Sequence, residues 1–235
     1  ELCAFRVPNH PLTAQLLALV NMPLCAPSAN TSGRVSPVNA EMVERDIGGR
    51  IDGILDGGPC SVGIESTIVQ PVGDSEAFIL RAGAISKEDL MQAGVRILEP
   101  NPADGKARSP GQEAAHYAPA VPLLLLAAAP GAPAALMQFK PARTLVLSFG
   151  NSPGLPEECE EWNLAPGGSL ELAARGLFAA FDRASSMNID LIVAADPPKN
   201  GMGAALHDRL LRASTYLGRC TEGQLYAIPR EGSIV

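Results

Sequence analysis

The sequence predicts an α/β protein made of two parts. In the second half of the chain, three apolar runs of strand length alternate with amphipathic helical patterns, which is the order of a parallel sheet covered by helices. In the first half, shorter strand and helix patterns lie between glycine and proline turns. We therefore expect the C-terminal part of a twisted α/β domain in residues 1–96, a linker in residues 97–120, and a smaller Rossmann-like parallel-sheet domain in residues 121–235.

The first part of the chain contains residues that end strands and begin helices. Pro8 and Pro11 end an initial strand, and leucines at helical spacing follow them. The pair Ser36-Pro37 suits the start of a second helix, and Ser86 with Asp89 three residues later suits the start of a third. The expected elements are strands at residues 1–8, 22–25, 53–56, 63–69 and 77–81, and helices at residues 12–20, 37–47 and 86–93.

The second part of the chain has the clearer pattern. The expected elements there are strands at residues 121–126, 143–149 and 190–195, and helices at residues 170–183 and 204–216. Gly201 and Gly203 resemble half of a dinucleotide-binding fingerprint. They lack the third glycine and do not follow a strand directly, so we interpret them as a turn that enters a helix. The sequence contains no P-loop pattern.

The composition excludes several classes of protein. The 235 residues carry a formal net charge of −7 with a pI near 5.0, so the chain lacks the basic field of a strong nucleic-acid binder. Its five cysteines are scattered and its three histidines are far apart, which argues against a disulfide framework and a metal cluster. No apolar run approaches the length of a membrane span. We therefore expect a cytoplasmic protein without membrane contacts.

Two polar stretches are candidates for a ligand site. The stretch Ala26–Gly33 places small hydroxyl, amide and glycine residues directly after an apolar run, where open α/β sheets bind their ligands. A capping turn would have the same composition. In the linker, His116 and Tyr117 lie between Pro110 and Pro119, which restrict its path. A passive linker and a lid over a site both remain open for this stretch.

Several short motifs occur together in one order. They are Arg6-Val7-Pro8 with His10-Pro11, Ala26–Gly33 with Ser36-Pro37, Asp56–Pro59, Gly63–Thr67, Leu80–Gly83 and Ser109–Pro119. This order resembles the L-threonylcarbamoyladenylate synthase family, in its form with a YrdC-like catalytic domain, a linker and a Rossmann-like C-terminal domain. The resemblance implies a nucleotidyltransferase that joins L-threonine and bicarbonate, attacks the α-phosphate of ATP, and releases pyrophosphate and threonylcarbamoyl-AMP for tRNA modification.

The resemblance also implies roles for individual residues. Arg6, Ser66 and the main chain at Ala26 would hold L-threonine, because a planar guanidinium suits a carboxylate. The residues implied in ATP binding are Leu2 through its main chain, Ser28, Asn30, Ser36, Arg81 and Tyr117. Ser109 and His116 would belong to a lid. ATP would arrive with Mg²⁺, no side chain is expected to act as nucleophile, base or metal ligand, and the product would pass to downstream tRNA-modification transferase proteins.

The chain also departs from the family pattern. The lysine and arginine pair that the family carries earlier in its catalytic domain has no counterpart, and the sequence opens inside an expected strand, so we expect a fragment that is inactive or very weak alone. Three alternatives stay open. A carbamoyl-adenylate-forming maturation domain would share only the first part, an RNA-binding module would need a basic, aromatic face, and a nucleotide-sensing protein would bind ATP in the Rossmann-like half.

Overall fold

The described part of the chain forms two sheets, one in each predicted part. The computed structural model describes residues 3–99, 116–126, 143–150, 159–221 and 224–230. Strands β1 (Ile68–Val72), β2 (Glu76–Arg81) and β3 (Arg96–Leu98) form the first sheet. In it, β1 and β2 are antiparallel, and β2 and β3 are parallel. The predicted strand at residues 63–69 thus begins only at residue 68, and β3 was not predicted.

The second sheet has the parallel order that the sequence predicts. Its strands are β4 (Leu123–Leu126), β5 (Thr144–Ser148), β6 (Cys159–Asn163), β7 (Leu191–Ala195), β8 (Tyr216–Thr221) and β9 (Gln224–Pro229). They lie in the order β6-β5-β7-β4-β8-β9, and all neighbours are parallel except β8 and β9. The mixed α/β fold class is therefore confirmed. The boundaries of the domains and linker stay a prediction.

Five α-helices lie within the described residues. They are α1 (Pro11–Val20), α2 (Ala40–Ile47), α3 (Lys87–Gln92), α4 (Leu170–Ser185) and α5 (Met202–Ala213). Helix α2 begins at residue 40 and not at Ser36-Pro37, because the Asn39 side chain accepts the hydrogen bond from the Met42 N–H and caps the helix. The predicted capping box of α3 is present, with Ser86 and Asp89 bonded reciprocally.

Three predicted strands in the first part are absent. Residues 3–8, 22–25 and 53–56 adopt no strand, although their apolar side chains match a strand pattern. A strand forms only where a neighbouring chain segment pairs with its N–H and C=O groups, and none of the described residues does so here. The side chains of Phe5 and Val7 accordingly remain 88% and 96% exposed. Helix α1 does form, yet it buries none of its side chains.

One hydrophobic core joins the two parts of the chain. Val38, Met42 and Ile64 of the first part pack in the same cluster as Phe178 and Phe181 of α4. The cluster also includes Tyr117, which belongs to the predicted linker. The two parts are thus held against each other by buried apolar contacts. No helix among the described residues is long and apolar enough to cross a membrane.

Candidate functional site

A large cleft lies where the two parts of the chain meet. Its volume is about 680 Å³, which suits a small-molecule ligand. Its lining includes Arg6, Ala26, Ser28, Ser36, Asp56, Gly63, Glu65, Ser66, Arg81, His116, Tyr117 and Phe178. The loop before α2, the loop before β1 and the end of β2 form one wall. His116, Tyr117 and α4 form the other.

The cationic part of the cleft is formed by Arg81 at the end of β2. Its Nε donates to the Ser66 carbonyl oxygen at 3.1 Å, and one of its terminal nitrogens lies 3.5 Å from the Ser66 hydroxyl. The residue is buried, and burial lowers the pKa of its guanidinium. Arginine nevertheless stays protonated in proteins. Arg6, which is exposed on the same cleft, is close enough to contribute a second positive charge to the field at Arg81.

A carboxylate lies behind these groups. Glu65 accepts a hydrogen bond from the Ser36 hydroxyl at 2.6 Å on one oxygen. Its other oxygen accepts from Nε of Arg209, on α5, at 2.8 Å. The Arg209 side chain is fully buried, and the Glu65 charge and the neighbouring Tyr117 raise the pKa of its guanidinium against the opposing effect of burial. The hydroxyl of Ser36 is therefore held by a charged pair that joins the two parts of the chain.

Tyr117 forms the floor of the cleft. Its ring is 1% exposed and stacks on Phe178, with 5.4 Å between ring centroids. Its backbone φ is +64°, a conformation that few non-glycine residues adopt. No described residue accepts or donates a hydrogen bond at its buried hydroxyl, and burial raises the pKa of this phenol. A buried hydroxyl in this position can bond a ligand in the cleft.

Two glycines allow the loops of the site to approach other backbone. A Cβ on Gly63, whose φ is +84°, would lie 2.4 Å from the Cα of Arg175 in α4. A Cβ on Gly83 would lie 2.3 Å from the Thr67 nitrogen and 2.5 Å from the Ser66 carbonyl carbon. Only glycine fits such distances. Gly63 thus lets the loop before β1 pack closely on α4, and Gly83 lets the segment after β2 pack closely against Ser66.

The structure brings most of the predicted site residues together. Those that line the cleft are Arg6, Ala26, Ser28, Ser36, Ser66, Arg81, His116 and Tyr117. Asn30 lies elsewhere, on a separate crevice of about 240 Å³, where its amide donates to the carbonyl oxygens of Thr31 and Arg34. Its geometry is that of a residue that stabilises the loop. Leu2 and Ser109 lie outside the described residues.

Three residues of the site were not singled out from the sequence. Glu65 lies inside the motif Gly63–Thr67, yet nothing in this motif indicates that its partner is Arg209. Phe178 and Arg209 lie on amphipathic helices, where an apolar or a charged residue is ordinary.

Among the described residues, no group of three or more potential metal ligands occurs. The cleft offers cations and hydroxyls, which suit an anionic ligand such as a carboxylate or a phosphate.

Comparison with protein-family models identifies two matches that cover most of the chain. A model described as telomere recombination, Sua5/YciO/YrdC, matches residues 1–83. The model of the threonylcarbamoyl-AMP synthase C-terminal domain matches residues 85–215, which is more than half of the chain. The two matches meet between β2 and α3, so β3 of the first sheet lies within the second match.

Curated relatives and solved structures agree with these matches. The threonylcarbamoyl-AMP synthase of Bacillus subtilis is 34% identical over 91% of this chain and 63% of its own length. That of Pyrococcus abyssi is 31% identical over 91% of this chain and 64% of its own. A crystal structure of P. abyssi Sua5 complexed with L-threonine superposes with a TM-score of 0.70 at 28% identity, covering 89% of this chain and 63% of the other. The chain thus spans less than two thirds of the length of these relatives.

Proposed function

The chain belongs to the threonylcarbamoyl-AMP synthase family, and from this premise we propose that its cleft binds L-threonine and ATP for the synthesis of threonylcarbamoyl-AMP. In this reaction the threonine amine and bicarbonate form a carbamate with loss of water. A carbamate oxygen then attacks the α-phosphorus of ATP, the bond from that phosphorus to the α,β-bridging oxygen breaks, and pyrophosphate leaves. The observation that supports the proposal is the cleft itself, which is lined by the cations Arg6 and Arg81 and by serine hydroxyls.

The threonine end of the proposed complex uses Arg6, Ser66 and the main chain at Ala26. The guanidinium of Arg6 would meet the threonine carboxylate, since its planar fork suits two parallel hydrogen bonds. The hydroxyl of Ser66 would bond the polar side of the amino acid. Because Ser66 also lies against Arg81, the amino acid and the nucleotide phosphates would lie side by side. Such alignment is a large part of catalysis when no covalent intermediate forms.

The nucleotide end uses Ser28, Ser36, Arg81 and Tyr117. Arg81 would stabilise the charge that grows on the phosphates during transfer. The hydroxyls of Ser28 and Tyr117 would donate to the nucleotide, and the family resemblance implies a further contact from the main chain of Leu2. Mg²⁺ would be held by the phosphates of ATP, and when bound it would neutralise part of their charge. His116 and Ser109 belong to the segment that would cover the cleft, and the product would be passed to tRNA-modification transferases in the cytoplasm.

Isothermal titration of the purified chain tests this proposal. We expect L-threonine and ATP each to bind with one site, and L-serine and GTP to bind more weakly. The variant Arg6→Met should reduce the affinity for L-threonine and leave the affinity for ATP unchanged, so ATP binding serves as its internal control. Binding of carbamoyl phosphate in place of threonine would instead favour a carbamoyl-adenylate-forming domain. A salt-dependent affinity for RNA that exceeds the affinity for ATP would contradict the proposal.

The reaction is tested by the release of pyrophosphate. The assay contains ATP, Mg²⁺, L-threonine and ¹⁴C-bicarbonate, and it is run on this chain and on a chain of the relatives' full length. Release that depends on both threonine and bicarbonate, with label in a threonylcarbamoyl nucleotide, supports the proposal. Threonine-independent release by the longer chain would contradict it.

A further inference from the structure

One buried guanidinium contacts three separate segments of the site. Arg209 lies on α5 in the second part of the chain, and its side chain has no exposed surface. Its Nε donates to Glu65, and Nη2 donates to the carbonyl oxygen of Ala82 at 2.9 Å. Its guanidinium carbon lies 5.4 Å from the centroid of the Tyr117 ring, at the distance of a cation–π contact. The remaining nitrogen, Nη1, donates to Asp208 at 2.7 Å.

The contacts with Glu65, Ala82 and Tyr117 lie in the lining of the cleft or next to it. Glu65 precedes Ser66 and accepts the hydrogen bond of Ser36, and Ala82 follows Arg81. Tyr117 lines the cleft itself. The arginine therefore fixes the relative positions of the groups in the cleft, although it does not itself line the cleft.

The chemistry of arginine suits this position and that of lysine does not. A guanidinium directs its N–H groups along fixed directions in one plane, so it can bond a carboxylate, a carbonyl and an aspartate at once. A lysine ammonium is a point charge on a flexible stem, and it lacks the planar face that lies over Tyr117. A buried cation is tolerated only when it is paired and hydrogen-bonded, which Glu65 and Asp208 provide here.

We propose that Arg209 is a positioning residue for the cleft, through which the C-terminal part of the chain holds Ser36, Ser66, Arg81 and Tyr117 in one arrangement. This inference rests on the proposed function for the identity of the ligands. It gives the second part of the chain an indirect role in ligand binding, since the arginine that positions the cleft residues belongs to that part. Other contacts between the two parts, such as the exposed pair of Arg45 and Asp182, would only hold the parts together.

The test compares Arg209→Lys with the matched control Arg45→Lys. Arg45 also bonds across the two parts, to Asp182 at 2.6 Å, but its side chain is 57% exposed and it does not line the cleft. Titration calorimetry with L-threonine and with ATP should show affinities reduced roughly tenfold or more in R209K. R45K should bind both ligands as the unchanged chain does. Unchanged affinities in a folded R209K would overturn the proposal.

A second measurement does not depend on the proposed ligands. Hydrogen–deuterium exchange of the ligand-free chain should become faster in R209K at residues 63–67, 81–84 and 116–118, and R45K should leave these three segments unchanged. If the unchanged chain binds neither ligand, the proposed function fails, and exchange alone decides the role of Arg209. If R209K does not fold, Glu65→Gln takes its place, since it keeps the shape of the side chain and removes the charge. Unchanged exchange in the folded variant would overturn the proposal.

Discussion

Replacement of Tyr117 by phenylalanine should stabilise the ligand-free protein and weaken its binding of ATP. The Tyr117 side chain is 1% exposed, and its hydroxyl has no hydrogen-bond partner among the described residues. Phenylalanine keeps the ring on Phe178 and beneath the guanidinium of Arg209. The substitution therefore removes one buried polar atom and little else.

The magnitude follows from the desolvation of this hydroxyl. A buried polar group without a partner costs about 1–3 kcal/mol in mutational data. Because neighbouring residues relax part of this cost, we expect the free energy of unfolding to rise by about 1–2 kcal/mol. For a chain of this length, that corresponds to an increase of roughly 2–8 °C in Tm. In the complex, the lost hydrogen bond to a charged ligand should reduce ATP affinity about tenfold.

Urea unfolding followed by circular dichroism measures the first effect, and titration calorimetry with ATP measures the second. The control is Tyr226→Phe, whose side chain is 50% exposed, and which should change stability by less than about 0.5 kcal/mol. A loss of stability in Y117F would refute the assignment of an unsatisfied hydroxyl. A stabilised variant with unchanged ATP affinity would refute its role as a ligand contact.

Three further predictions concern the loops around the site. Gly63→Ala should lower the free energy of unfolding by at least about 1–2 kcal/mol, because alanine is strained at a φ of +84° and its Cβ would overlap α4. Differential scanning calorimetry should show this loss as a lower Tm. Ser28→Ala should weaken ATP binding in calorimetry, whereas Asn30→Ala should reduce thermal stability and leave the affinity within about twofold. Bonds from Thr31 lower the pKa of the Asp46 carboxyl, so the stabilisation that they give is present above the ordinary pKa of this group and is lost as the pH falls through the lowered one. NMR at decreasing pH should show faster exchange of the Thr31 amide, and protection that does not change when the Asp46 carboxyl protonates would contradict this prediction.

The parallel sheet was predictable because its strands are apolar on both faces. Helices cover such a sheet on both sides, so strands such as β4 and β7 consist of continuous apolar residues that stand out in a sequence. The strand β6 was not predicted, because two glutamates interrupt it and its side chains are mostly half-buried. In the first part, apolar runs at residues 3–8 and 53–56 predicted strands that have no pairing partner among the described residues. The sequence pattern indicates which side chains prefer to be buried. Whether a segment becomes a strand depends on whether the fold places another strand beside it.

Most of the residues predicted for the site line one cleft. The residues that hold these in place were not predicted. The polar stretch after an apolar run indicated Ser28, and the resemblance to the family implied Arg6, Ser66 and Arg81. The same reasoning included Asn30, whose side chain bonds its own loop. The pair of Glu65 and Arg209 left no local signal, since their contact depends on how the two parts pack together. A single sequence contains no information on which of its many glutamates and arginines meet.

The separation of Glu65 and Arg209 along the chain has a consequence for biosynthesis. They lie 144 residues apart, which at typical rates of translation is a delay of roughly 10–30 s between the synthesis of one and that of the other. Until α5 has been made, Glu65 lacks the hydrogen bond from Arg209. The nascent chain therefore exposes an incomplete cleft throughout this interval. The order of synthesis makes α5 the element that completes loops synthesised long before it.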